Sequence, residues 1–458
     1  MKAKKTLQLL RDYESRNITF MESDGSWPIV WERAKGVHVW DVEGKKYLDL
    51  TAAFGVAAAG HANATVVKAG QKQMAKLLHA MGDVHPHELK AKLARDLSRI
   101  TFERWSKTQN SKLKTKNSAK TIFCNSGFEA VEAALKTAML ATGKRGVITF
   151  TGAYHGLGYG ALNATYRNYF RASFRSQLRQ FCYFAPFPKH KKDLAEVESV
   201  IRSYFRRHKI GAILVEPIQA RGGINIPPSE FLPLLRKICD ESGALLILDE
   251  IYTGFGRTGK WFACEHIGTG VSPVSSSRKL THGRDARATS IPDIICLGKA
   301  LTGGFPLSAC VGRSDLMDEA WPPSNGEAIH TSTFLGHPVG CAMALAQIEE
   351  IQKQQLVEQS AARGKFLLDE LHTQISNSKF QIEIRGIGLM VGLEMKDQKG
   401  LPATEASLQI IKTMLHRGFI LLPEGEQANV IGFTPPLTIS ERDLEKTIRD
   451  LKKVMNSI

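Results

Sequence analysis

The chain has 458 residues, 43% of them hydrophobic, and a formal net charge of +16. That length suggests about three domain-sized units with ample apolar surface for a core, and no apolar run approaches the roughly 18 residues a membrane span needs. The charge argues against a nucleic-acid face: Lys107, Lys112, Lys114, Lys116 and Lys120 share one polar stretch, while Arg278, Lys279, Arg284 and Arg287, offset by Asp285, share another, so much of the excess sits in two loops rather than on one surface.

The opening MKAKKTLQLLRDYESRN turns charged again after Leu9 and Leu10. This is too short for a signal-peptide core, and it reads as an amphipathic helix of a cytoplasmic protein. VWDVEGKKYLDLT has the pattern of a hairpin. From about residue 120 to 312, short apolar runs (TIFCN, GVITF, AILVEP, LLILDE, IICLGK, ACVG) alternate with helix-like stretches such as Gly127 to Ala141 and Glu230 to Ser242. Runs apolar throughout are strands buried on both faces. With crossover helices, they predict an α/β fold around a mostly parallel sheet. Arg167, Arg171, Arg175 and Arg179, spaced by four, would line one side of a helix there.

Two segments break the pattern. Residues 106–120 and 267–290 are rich in Ser, Thr, Gly, Lys or Arg and carry almost no apolar period; both read as surface loops, the second as an insertion. After residue 335 comes a helix from near Gly340, then IRGIGLMVGLEM, FILLP, VIGFTPPLTI and a closing helix from Glu441. These predict a smaller α+β domain, residues 336–458, which residues 1–60 join; residues 61–335 form the large domain. Seven scattered cysteines without a CxxC pair suit buried thiols in a reducing compartment better than disulfides or zinc.

Ligands of parallel sheets bind beyond the carboxyl ends of the strands, where Asn125, Glu216, Asp249 and Lys299 fall. A desolvated lysine has a lowered pKa and can attack an aldehyde, although a strand-end lysine can also simply snorkel to water. A carboxylate ending an apolar strand needs a cation. For Asp249 that is either a protonated pyridine nitrogen, which makes a ring an electron sink, or a structural partner such as Arg257. NSGFEAVEAALKTA starts a helix after a glycine, a phosphate-binding arrangement and equally an ordinary cap. Tyr154 and His155 follow GVITF between glycines; the tyrosine could stack on a flat ligand or pack in a turn. Ser332 and Thr333 precede a helix. Arg385, flanked by glycine in IRGIGL, offers a fork-shaped donor for a carboxylate.

Together these fragments resemble the class-III aminotransferases, the pyridoxal-phosphate family of 4-aminobutyrate, ornithine and acetylornithine aminotransferases. The resemblance runs from YLDLTAAFGVAAAGHA to FTPPLTIS and is strongest over LILDEIYTGFGRTGKWFACE and PDIICLGKALTGGFPLSA. It implies a fold-type-I large domain, a small domain from both termini, and a homodimer with shared active sites. It implies that Lys299 holds pyridoxal 5'-phosphate as a Schiff base and shuttles a proton, and that Asp249 pairs with the pyridine nitrogen. Ser126, Gly127 and the amide of Phe128 would cradle the phosphate, joined by Thr333 of a neighbouring subunit. Tyr154 would stack on the ring with His155 beside it, and Arg385 would bind a substrate carboxylate.

The implied reaction moves an amino group from an amino acid or ω-amine to 2-oxoglutarate or pyruvate. An aminomutase or racemase would use the same residues, and a catalytically impaired binding protein is the reading from another class. Several positions depart from the family pattern. Phe128 stands where small or hydroxyl residues are usual. Tyr252 replaces a glutamine, its phenol still able to reach the cofactor's ring hydroxyl. Gly298 stands where a serine often precedes the lysine, and His337 replaces an asparagine. Arg221 occupies the place of a glutamate that masks the substrate arginine. Arg385 is therefore expected to stay available, with carboxylate-bearing donors favoured over diamines.

Overall fold

The computed structural model describes residues 2–107, 118–178, 180–266, 291–375 and 379–458. The expected loop 267–290, most of the polar stretch 106–120, and Arg179 lie outside the described residues.

The strands in chain order are β1 (Trp31–Lys35), β2 (His38–Asp41), β3 (Lys46–Asp49), β4 (Ala119–Cys124), β5 (Gly146–Phe150), β6 (Cys182–Ala185), β7 (Ile210–Val215), β8 (Leu245–Asp249), β9 (Ile294–Leu297) and β10 (Ser308–Arg313), followed by β11 (Gln381–Ile387), β12 (Met390–Lys396), β13 (Phe419–Ile420), β14 (Leu422–Glu424) and β15 (Val430–Phe433). Seven of these form the central sheet in the order β4-β10-β9-β8-β7-β5-β6. The run β9-β8-β7-β5-β6 is parallel, and β10 lies antiparallel between β9 and β4. The reason is written in the residues. GVITF and IGAILV are buried at every position, as are all four residues of β9, so both faces must be covered, and helices cover them.

The Gly127–Thr142 helix shows how local sequence sets geometry. Its buried stripe is Ala130, Ala133, Ala134 and Ala138, and side chains this small let the helix lie close on the sheet, with its first turn directly beyond β4. Gly143, at φ 63, ends it in the left-handed conformation that glycine adopts without penalty.

The two ends of the chain share a sheet. Strands β1, β2 and β3 form an antiparallel meander, and β13 adds in parallel to β3 through Phe419 and Ile420. Four further strands make a C-terminal antiparallel sheet, β11-β12-β15-β14. The helices Pro338–Lys353 and Glu441–Ser457 stand where the sequence places them. Around the spaced arginines only two short turns form, Asn168–Arg171 and the 3-10 turn Ala172–Phe174, so the expected long helix is absent from the described residues. Instead the Arg171 guanidinium lies over the Phe184 ring, and Arg175 donates to Asn168 Oδ1 at 2.7 Å.

Candidate active site

The carboxyl ends of β4, β5, β7, β8 and β9 open on one cavity of about 400 Å³. Its walls include Gly127, Phe128, Tyr154, His155, Glu216, Arg221, Asp249, Tyr252 and Lys299. Residues from more than 170 positions of sequence converge here because each parallel strand delivers its next residue to the same edge.

Asp249 ends β8 nearly buried, 5% exposed. Its Oδ1 accepts from the amide of Ile251 at 3.1 Å, and its Oδ2 lies 2.7 Å from His155 Nδ1. His155 is itself fixed: its amide donates to Thr165 Oγ1 at 2.9 Å, and its Nε2 meets Thr149 Oγ1 at 3.3 Å. Arg257, the alternative partner weighed for Asp249, is engaged elsewhere, donating to the carbonyls of Leu389 and Pro435 at 3.0 and 2.5 Å.

Lys299 follows β9 with φ at +45°, a left-handed conformation costly for a side chain of this size. Its Nζ lies 3.7 Å from the centroid of the Tyr252 ring. Burial lowers the amine to about 8, against the upward pull of Asp249, Glu424 and Glu216, while Arg221 pushes further down. Burial likewise lifts the carboxyl of Glu216 to about 7; its Oε1 accepts from the amide of Tyr154 at 3.0 Å and its Oε2 from that of Ala220 at 3.1 Å. Glu216 thereby ties the Tyr154 loop to the loop that presents Arg221.

The residues expected to cradle a phosphate stand at the start of the Gly127–Thr142 helix. Glu129 reaches back to accept from the amides of Asn125 and Ser126 at 2.7 and 2.8 Å. The Ser126 Oγ is buried without a hydrogen-bond partner. A Cβ added at Gly127 would lie 3.0 Å from Ile251 Cδ1, and one at Gly156 would lie 2.4 Å from Phe128 Cβ. An orphaned hydroxyl beside a bare helix start is the donor set a phosphate group would satisfy. With an amine of lowered pKa and a buried carboxylate in the same cavity, the residues fit pyridoxal phosphate.

Other expected site residues lie differently. Thr333 is exposed and outside this cavity. The Tyr252 phenol lies 3.2 Å from Thr434 Oγ1; its ring, not its hydroxyl, faces Lys299. Arg385 requires a correction. It is outside the cavity wall and is not free: Nη1 binds Glu394 at 2.6 Å and Glu383 at 3.1 Å, Nε donates to the carbonyl of Ile224 at 2.9 Å, and Nη2 to that of Gly223 at 2.6 Å. Ile224 holds φ at +54°, an outlier for a β-branched residue, so Arg385 clamps a strained loop.

That loop presents Arg221, the guanidinium that does line the cavity, paired with Glu424 at 2.9 Å. Burial lifts Glu424 to about 7, opposed by Arg221 and Lys299. The sequence reading missed Glu424; its signal was a carboxylate between the apolar run FILLP and a glycine.

The class-III aminotransferase family profile matches residues 20–455. The chain is 33% identical over 433 residues to an acetylornithine aminotransferase of Methanosarcina mazei, covering 94% of this chain and 93% of that one. It is also 33% identical over 439 residues to a 5-aminovalerate aminotransferase of Pseudomonas aeruginosa, covering 94% of each. A solved Bacillus anthracis aminotransferase superposes with a TM-score of 0.85 at 26% identity over the full length of both chains. The family profile spans nearly the whole chain and the relatives agree with it: the chain belongs to the class-III aminotransferases, enzymes that work with pyridoxal phosphate.

Proposed function

We propose that this aminotransferase takes its amino group from the terminal amine of a donor that also carries a carboxylate, and passes it to 2-oxoglutarate or pyruvate by a ping-pong mechanism. The observation that carries the proposal is Arg221: a guanidinium in the wall of the cavity that holds Lys299, with one ion-pair partner among the described residues, Glu424. A fork-shaped donor there suits a carboxylate. Acetylornithine and 5-aminovalerate, which name two of the relatives, each join a terminal amine to a carboxylate, whereas a third, 34% identical, is named for the diamine putrescine.

In this reading Ser126, Gly127 and the amide of Phe128 hold the phosphate, joined by Thr333 of a second copy in a homodimer. Tyr154, in the cavity wall, would stack on the bound pyridine ring. Asp249 would pair with the ring nitrogen, its carboxylate aimed by His155 and by the amide of Ile251. When bound, pyridoxal phosphate supplies an electron sink for the pair left as the amine-bearing carbon loses its proton. Lys299 Nζ takes that proton, and a pKa near 8 suits an amine that must both accept and return a proton near neutral pH. The Phe128, Leu157 and Ile251 side chains make part of the cavity wall apolar. All seven cysteines are free and buried, which suits the reducing cytoplasm.

A donor panel scored by half-reaction spectra, with no oxo acid added, tests the reading. Donors with a terminal amine and a carboxylate should convert the cofactor spectrum fastest, and putrescine more slowly. Faster conversion by the diamine would refute the donor assignment. Isomerisation of a single substrate with no oxo acid consumed would replace the transaminase with a mutase or racemase.

A further inference from the structure

We propose that Tyr252 is the seat of the Lys299 ammonium: the face of its ring holds the amine, and its phenol is committed to the protein frame rather than to the cofactor. The inference rests on the assignment of Lys299 as the reacting amine. The contact is direct, with Nζ at 3.7 Å from the ring centroid, well inside the roughly 6 Å over which a ring attracts a cation.

The direction of the phenol hydrogen bond follows from counting donors. Thr434 Oγ1 donates its one hydrogen to the carbonyl of Thr51 at 3.2 Å, so toward Tyr252, 3.2 Å away, it can only accept. The phenol is therefore the donor and its proton is spent. Burial pushes this phenol up to about 12, which keeps the proton in place across the working pH range. A bound cofactor's ring hydroxyl can then take no hydrogen bond from Tyr252.

The frame that fixes the ring is built for it. Residues Ala52, Ala53 and Phe54 hold φ at 46°, 50° and 61°, three consecutive non-glycine residues in the left-handed region. Such a run persists only where the surroundings over-determine it. Asp49 secures it, accepting from the amide of Thr51 at 2.8 Å, from the Thr51 hydroxyl at 2.6 Å and from the amide of Ala53 at 3.1 Å. The turn ends at Gly55, where an added Cβ would lie 3.0 Å from Tyr252 Cε1. From the other side, the amide of Thr434 donates to the carbonyl of Leu50 at 2.8 Å. The ring is thus held between the N-terminal turn and the end of β15, with one face to Lys299.

The test reads the amine itself in the cofactor-free protein. Lys299 is labelled with trinitrobenzenesulfonate from pH 6 to 11 and quantified by peptide mass spectrometry in wild type, Tyr252→Phe, Tyr252→Leu and Tyr252→Met. A ring beneath an ammonium favours the protonated form, so removing the ring moves the labelling midpoint down, by about one pH unit. Tyr252→Phe keeps the ring and should hold the midpoint to within a few tenths of a unit. Two ring-free variants are included so that one poorly folding protein does not decide the matter. A midpoint unchanged in the ring-free variants, or a Tyr252→Phe displacement as large as theirs, overturns the proposal. Addition of pyridoxal phosphate to wild type should protect Lys299 from the label; labelling that ignores the cofactor overturns the assignment of Lys299 instead.

Discussion

Replacing Lys299 by methionine separates the cost of a buried amine from its use. The folded protein holds this amine at about 8, whereas an ordinary lysine titrates at 10.5. A group whose folded pKa lies below its unfolded value binds protons more weakly when folded. Its penalty is therefore full below about pH 8 and fades as pH rises toward 10.5, where the unfolded chain also loses the proton. A tenfold change in proton affinity is worth about 1.4 kcal/mol, so the drop from 10.5 to about 8 corresponds to an upper bound of about 3 kcal/mol. Glu424 opposes part of this gain, because Lys299 helps hold its carboxyl down; about 1–2 kcal/mol net remains. For a chain of this size that is a rise in Tm of a few degrees at most. The assay is thermal unfolding of cofactor-free Lys299→Met against wild type at pH 7 and at pH 10.5. The variant should melt higher at pH 7, and the difference should shrink toward zero at pH 10.5. A variant that melts lower at pH 7, or by the same margin at both pH values, would refute the idea that desolvation sets this amine.

Other substitutions separate substrate recognition from scaffold. Arg221→Gln removes the cavity guanidinium and leaves Glu424 buried without its partner at 2.9 Å; KM for carboxylate-bearing donors should rise about tenfold or more with KM for a simple monoamine little changed, and equal effects on both would count against a carboxylate site. Gly127→Ala puts a methyl 3.0 and 3.1 Å from Ile251 and so displaces the helix start. Pyridoxal phosphate should bind roughly tenfold more weakly in a fluorescence titration, while labelling of Lys299 in the cofactor-free protein stays as in wild type. Arg385→Ala leaves the nearly buried carboxylate of Glu394 with only Lys396, at 3.4 Å, and releases the carbonyls of Gly223 and Ile224. With Lys396 still beside Glu394, a loss of about 1–2 kcal/mol is expected from the released hydrogen bonds, read as a lower melting temperature, with carboxylate-donor KM raised through Arg221; an unmoved melting temperature would deny the clamp.

The central sheet was legible because its strands carry one unmistakable pattern. A parallel strand covered on both faces has no polar side to show, and GVITF, IGAILV and LLILD read that way without ambiguity. Strand β6, CYFA, escaped notice because it is the edge of the sheet; Tyr183 and Phe184 are only half-buried, so the run is short and its boundaries are set by pairing with β5. The two residues of β13 are too few for any periodicity, and only their docking beside Leu48 and Asp49 makes them a strand. The placing of Asp249 and Lys299 in one cavity was legible for the same reason as the sheet, since the first ends an apolar run and the second follows one. The orientation of Tyr252 was not, because nothing local tells a phenol which hydroxyl it will meet across the fold.

Arg385 is engaged by its own hairpin rather than by the cavity for a reason that lies in strand register. In the hairpin of β11 and β12, Glu383 sits directly opposite Glu394 and Arg385 opposite Gly392. Two carboxylates facing each other across an antiparallel pair repel, and Glu394 is nearly buried, its side chain 11% exposed. Burial alone would raise its pKa, yet the hydrogen bond and charge of Arg385 outweigh that and hold it below the ordinary carboxylate range. Arg385 stands two residues from Glu383 on the same face, the position from which one guanidinium reaches both acids. Its glycine neighbours, which suggested an open setting, answer the pairing instead: at Gly386 a Cβ would lie 2.7 Å from Val391 Cγ2, and at Gly388 one would lie 2.3 Å from the Thr258 carbonyl carbon. Arg385, bridging two opposed acids, is held by its own sheet, and the guanidinium in the cavity wall is that of Arg221.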